Sequence, residues 1–410
     1  MLNRKQITAW LIVVSGGLGC AVNVLAAPYI PADDAQVLER LRAQAGDPVI
    51  RELRALRTHL TEQPDDLPLA TQLARRYIEY GRSEADPRYY GYAEAALKPW
   101  LDIADPPIAV LLLRATLRQA RHDFSGALHD LSQILKIAPN NAQAWLTKAS
   151  LEQVQGNYSE ARKSCIKLLR LASELTTAAC VSGVGSYTGQ ADKSYRLLQE
   201  VFTKYPQASS AERLWVLTSL AEIAARLGDA QAAENHFRQA LQLKVRDSYL
   251  LGAYADFLLD QGRPVEVIDL LKDETRADGL LLRLALAEQA LNAATLTEHI
   301  EALRARFTAS RLRDDTVHRR EEAHFTLHLL KQPQEALRLA QENWVVQRES
   351  ADARILLEAA IAAKNKSAAQ PVLDWLSRTR LEHIQLQGLK QNPLFSSIQG
   401  PGCCDARVAD

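Results

Sequence analysis

The chain has 410 residues, too many for one ordinary compact core, so it holds several domains or an elongated array. Its 49 Lys and Arg balance 49 Asp and Glu, so no overall field draws it to nucleic acid or to anionic lipid. Hydrophobic residues make up 47% but aromatics only 6%, so alanine and leucine carry the apolar content; this excludes disorder and favours close-packed helices over β-sandwiches.

Residues 1–26 read as a signal peptide. Arg4 and Lys5 form a positive start, Ile7 to Leu18 is apolar, and Val24-Leu25-Ala26 offers a cut after Ala26 that keeps Pro28 off the cleaved bond. The mature chain is therefore expected in the periplasm of a bacterial envelope. Two rival readings stay open: an uncleaved anchor over 7–27, and lipid attachment at Cys20 within Gly17-Leu18-Gly19-Cys20. Beyond this segment no stretch reaches 18 consecutive apolar residues, so the mature chain is expected to be soluble. Cys165, Cys180, Cys403 and Cys404 remain, an even number that favours pairing in an oxidising compartment.

Residues 27–66 read as a capping helical segment, and from 67 onward a period emerges. Ala74, Tyr77 and Gly81 form one helix and its turn, Tyr92, Ala95 and Trp100 a second. The polar "RSEADPRYY" between them predicts a protruding insertion loop over 82–91. Over 108–141 stand Leu111, Ala115, Phe124, Ala127 and Pro139, with His122 where the other copies have glycine. Thirty-four residues on, Ala149, Tyr158 and Ala161 repeat Ala115, Phe124 and Ala127, now with Trp145 and Gly156. Small residues at Ala149 and Ala161 let two helices cross closely, Gly156 takes a left-handed turn, and Tyr158 and Trp145 fill the gaps. A looser copy over 175–208 holds Gly189, Ser194, Leu198 and Pro206. Two more carry Ala221, Gly228 and Ala233, then Ala255, Gly262 and Val267. Residues 282–384 keep apolar-striped helices of the same length while the marked positions fade, and 385–410 reads as a loose tail.

A 34-residue period of paired helices with these residues resembles the tetratricopeptide repeat family, clearly over 67–281 and in degenerate form over 282–384. The resemblance implies an all-α, right-handed superhelical solenoid of antiparallel helix pairs, each pair burying its core only against its neighbours. It implies a non-enzymatic protein-interaction scaffold or assembly factor without a cofactor, whose partners are proteins or peptides held as a peptide or helix in the concave face. Many family members bind a terminal carboxylate through Lys, Asn and Arg; the matching positions here carry Leu112, Thr116 and Thr147, so that partner class is disfavoured. The inner face is expected to draw on Gln119, Gln143, Gln153, Trp215, Glu222, Arg226, Tyr249, Asp256 and Asp260. Trp215 and Tyr249 would supply apolar contact, Asp256 and Asp260 an attraction for a basic segment. Cys165 and Cys180 fall on helices that stack in this architecture, as a disulfide or as two buried thiols.

No phosphate loop, nucleophile elbow or zinc-protease motif is present. His318, Glu321, Glu322, His324 and His328 form the nearest approach to a metal motif, His324 and His328 sharing a helix face with Glu321 as a possible third ligand. Solvated helix faces produce such pairs freely, so no metal is expected. An envelope enzyme or metal-handling protein using this cluster, or Cys403 and Cys404, is the alternative to a scaffold.

Overall fold

The computed structural model describes residue 33, residues 47–313 and residues 315–395; the expected signal peptide, Cys20, Cys403 and Cys404 lie outside them. Among the described residues there are twenty α-helices and no strand, and none of the helices is long and apolar enough to cross a membrane. Helix α1 (Pro48–Glu62) precedes nine antiparallel pairs. The first three are α2 (Leu67–Glu84) with α3 (Arg88–Leu101), α4 (Ile108–Ala120) with α5 (Phe124–Ile137), and α6 (Ala142–Val154) with α7 (Tyr158–Lys167). Then come α8 (Glu174–Gly185) with α9 (Ala191–Lys204), α10 (Ser210–Leu227) with α11 (Ala230–Gln242), and α12 (Ser248–Asp260) with α13 (Pro264–Leu271). The last three are α14 (Asp278–Leu291) with α15 (Leu296–Leu312), α16 (Arg319–His324) with α17 (Pro333–Val346), and α18 (Ser350–Ala362) with α19 (Lys366–Thr379). Helix α16 runs into a π-helical turn, Phe325–Leu329, and α20 (Ile384–Lys390) closes the series.

Each pair turns through one residue in the left-handed region: Ala85, His122, Gly156, Gly189, Gly228, Gly262, Asn292, Lys331 and Lys364. Side-chain oxygens of Asp66, Asp123, Asn141, Ser173, Ser209, Asp229, Asp247 and Asn365 cap the helices that follow them, satisfying amide donors that would otherwise be orphaned. Ala115, Ala127, Ala149, Ala161, Ala221, Ala233 and Ala255 are all buried where helices cross. The result is an all-α solenoid of the tetratricopeptide kind.

Three expectations are corrected. The protruding loop over 82–91 is absent: α2 continues to Glu84, and only Ala85–Pro87 separates it from α3. Tyr89 and Tyr92 hold the second helix down by ring contacts with Tyr77 and Tyr80. Gly81 is accordingly not the turn but a helical contact point, where a β-carbon would stand 3.0 Å from Cβ of Tyr89. Residues 385–395 are not a loose tail, because Leu386 and Phe395 are buried in the same core cluster as α18 and α19.

Distant pairs also meet across the ends of the concave face. Ala149, Tyr158, Ala161 and Val184 share one apolar cluster with Trp344, Leu356 and Trp375, far along the chain. The Arg348 amide donates to the Val154 carbonyl (2.7 Å), Tyr158 Oη to the Arg348 carbonyl (3.3 Å), and the Ala191 amide to Glu382 Oε2 (2.6 Å). At the other edge Ser248 Oγ donates to the Ser83 carbonyl (2.7 Å), and Arg246 pairs with Glu84 (2.6 Å). Successive turns of the superhelix therefore touch, and the inner face becomes a cavity.

Candidate functional site

The first helices of the later pairs (α10, α12, α14, α16 and α18) line this cavity. It has two lobes of about 750 and 660 Å³ that share Glu222, Asp256, Arg283, Arg320, Glu321 and Ser350. The 34-residue period explains why charges meet here, since one step apart on neighbouring first helices means adjacent in space. Single steps link Glu222 to Asp256, Arg226 to Asp260, Tyr249 to Arg283, Arg320 to Arg354 and His324 to Glu358.

Of the expected inner-face residues, Glu222, Arg226, Tyr249, Asp256 and Asp260 line the cavity; Gln119, Gln143, Gln153 and Trp215 do not. Gln143 is exposed and donates to its own helix at Thr147 (3.2 Å). Trp215 is 38% exposed, outside the cavity lining, although it stands 34 residues before Tyr249. Tyr249 presents an exposed ring to the cavity and donates its hydroxyl to Glu222 (2.6 Å). The Glu222 charge, followed by the loss of water around the hydroxyl within the cavity, pushes that phenol well above its ordinary value, while the same loss of water pushes Glu222 up against the pull of the Tyr249 hydrogen bond. Arg226 is almost buried, stacked 4.7 Å over the Tyr187 ring and donating to Ser186 Oγ (2.7 Å).

Asp256 and Asp260, expected to draw in a basic segment, each have a cation supplied by the fold. Arg283 donates to Asp256 (2.6 Å) and to the Gly252 and Gly279 carbonyls. Arg354 donates to Asp260 (2.8 Å) and to Glu358 Oε1 (2.8 Å). Arg320 bridges Glu321 (3.2 Å) and Glu349 (3.0 Å). Burial alone would raise Glu321 and Glu358. For Glu321 the charges of Arg320 and Arg283 outweigh it; for Glu358 the His328 hydrogen bond and Arg354 do so, and both carboxyls are held at about 2. The cavity is thus a preorganised array of paired charges.

Within the cavity, His328 Nε2 lies 3.0 Å from Glu358 Oε2, and the His324 and His328 rings stack at 5.6 Å. Burial first, then the neighbouring His328 and Arg283, pushes His324 down to about 4 despite the opposing pull of Glu358 and Asp256. Glu321, the expected third member, is turned to Arg320 instead, and Glu322 is buried against Arg311. Glu358 takes that place, which a 34-residue step from His324 would have located. Cys165 and Cys180 are joined in a disulfide, with α-carbons 5.6 Å apart, tying α7 to α8.

No family model matches the chain, and no curated protein matches it. Among solved structures it is similar to a tetratricopeptide repeat protein from Parabacteroides merdae: 17% identity, 62% of this chain and 90% of that chain covered, TM-score 0.39. It is also similar to a Rap protein complexed with competence and sporulation factor, at 15% identity, 79% and 99% coverage and TM-score 0.46. A third is yeast Tom70, at 10% identity, 86% and 100% coverage and TM-score 0.23. The assignment of fold rests on the chain's own period and helix pairing.

Proposed function

We propose that this tetratricopeptide-like solenoid is a non-enzymatic scaffold or assembly factor of the bacterial envelope, which holds a short polypeptide segment of a partner protein in its central cavity. The observation that carries this reading is the closure of the superhelix around a charged, preorganised chamber. Because Asp256, Asp260, Glu321 and Glu358 already have arginine partners, the bound segment is polar and of mixed charge, exchanging partners within the array. Two features support the envelope setting: the signal-like amino terminus, and a disulfide of the kind retained in oxidising compartments.

Crosslinking and capture from intact cells, with the mature amino terminus read by mass, tests both halves. The expected result is a chain beginning at Ala27 and at least about tenfold weaker capture for Tyr249→Ala, with Trp215→Ala unchanged. Equal capture by parent and Tyr249→Ala, with loss on Trp215→Ala, would move the interface to the outer surface and defeat the cavity reading. A chain retaining residues 1–26 in the cytoplasm would defeat the envelope setting.

A further inference from the structure

His324, His328 and Glu358 have a potential beyond the scaffold reading. Their donor atoms, one from each side chain, all lie within 4.8 Å of one another. Two imidazole nitrogens and one carboxylate oxygen form a donor set suited to a borderline divalent transition ion, and three protein ligands leave a coordination position open. The two imidazoles come from α16 and the π-helical turn that follows it, the carboxylate from α18, so the triad joins two adjacent pairs of the solenoid. Local π-helical geometry is rare and gathers at functional sites.

The arrangement around the triad favours a site over a chance meeting of side chains. Arg354 Nε donates to Glu358 Oε1 at 2.8 Å, which fixes the carboxylate plane and leaves Oε2 directed to His328 at 3.0 Å. Arg354 is itself fixed by Asp260 on α12, at 2.8 Å. This is an outer shell of the kind that orients a ligating carboxylate. Among the described residues the His324 ring has stacking with His328 but no hydrogen-bond partner, so its donor nitrogen is not committed elsewhere. His324, His328 and Glu358 all line the larger lobe, so an ion could enter and the open position would face the cavity.

We infer that His324, His328 and Glu358 form a binding site for one divalent transition ion of the zinc class on the cavity wall, with Arg354 as the residue that positions the carboxylate. The inference does not depend on the partner reading, because it is tested with metal alone. Tag-free protein carrying Cys403→Ser and Cys404→Ser, so that tail thiols supply no ligand, is stripped of metal and titrated with Zn²⁺ against a chromophoric chelator. Co²⁺ in its place reports coordination through its visible d–d absorption.

The expected result is one ion per chain. Affinity should fall on the order of 100-fold for His324→Ala and for His328→Asn, and at least about tenfold for Glu358→Gln, which keeps size and hydrogen bonding. Glu321→Gln, one turn away and paired with Arg320, should match the parent. Circular dichroism and melting of the metal-free variants identify any that fail to fold; in that case Glu358→Gln, the most conservative change, decides. Absence of stoichiometric binding by the parent, or a folded Glu358→Gln with parental affinity, overturns the site. Loss of binding on Glu321→Gln overturns the choice of ligands.

Discussion

Pairs α4–α5 to α12–α13 and the segment from α16 to α20 are built from the same helices but are written differently. The earlier pairs, α8–α9 apart, carry an alanine on the first helix at the crossing, an aromatic opens α5 and α7, and glycine provides four of the five left-handed turns. The later segment turns at Lys331 and Lys364 and includes a π-helical turn. It also buries Glu322, Asn343, Gln347 and Asp352. Asp352 alone accepts from Asn343 (2.7 Å), Gln347 (3.1 Å) and the Glu349 amide (2.8 Å). The later pairs close against α6 to α10, and the contact is mutual: α6–α7, with Ala149, Tyr158 and Ala161 in the shared cluster, keeps the full set of marked positions. Closure is therefore compatible with the motif on one side of the contact, while the other side departs from it at Lys331, Lys364 and the π-helical turn.

Trp375→Ala tests that contrast most severely. The indole is 3% exposed and meets Trp344 edge-on at 5.3 Å, beside the Gly156 turn. Its loss should cost about 3–5 kcal/mol in denaturant unfolding. Amide protection should fall in residues 142–190 as well as in 350–380; unchanged protection in the earlier stretch would mean that the closing segment is not coupled to it.

Two glycines sharpen the same point at smaller scale. Gly189 and Gly262 both sit at positive φ (70° and 68°), but a β-carbon at Gly189 would lie 3.1 Å from Arg380 Cβ, whereas one at Gly262 meets nothing within 4 Å. Gly262→Ala should cost about 1 kcal/mol for conformation alone, and Gly189→Ala about 2–3 kcal/mol because overpacking is added. Equal costs would show that the closing contact yields freely.

Acid should loosen the closing segment through His383. Burial, followed by the charges of Arg226 and Arg354, holds this imidazole down at about 3, so it stays neutral in the fold while the unfolded chain titrates near 6.5. The unfolded state therefore binds the proton first, and stability present above pH 6.5 is lost progressively as pH falls toward 3. Glu321 and Glu358, held at about 2, add to the loss only below about pH 4.5. Urea unfolding of metal-free His383→Gln between about pH 6.5 and 4.5 should show a shallower decline than the parent.

The smallest effect is expected at the turns. Lys331→Gly and Lys364→Gly remove side chains from left-handed positions (φ 56° and 55°) and should each stabilise by up to about 1 kcal/mol. His122→Gly should gain less, because the His122 ring stacks on Phe124 at 5.3 Å. A gain at His122 matching the other two would mean that this stacking contributes nothing.

The 34-residue steps from Ala115 to Ala149 and from Ala221 to Ala255 made the helix pairs and their crossings legible, because each crossing is decided within one window of chain. The turn at His122 could be located by register even without glycine; Lys331 and Lys364 could not, since the alanine, aromatic and glycine marks of the earlier pairs fade around them. Five inner-face residues were found by the same register, and Glu358 was within its reach from His324. The closure was not: Tyr158 and Arg348 are 190 residues apart, and their contact depends on a small rotation per pair summed over five pairs. That rotation is set jointly by many side-chain volumes and no single motif encodes it. The sequence therefore determined the helices, most of their pairing and five of the nine inner-face residues it proposed, because these are near-neighbour properties. Only the tertiary structure decided that the inner face is a chamber, that its acids are already paired and that its two histidines meet a glutamate, because these follow from the accumulated curvature of the whole array.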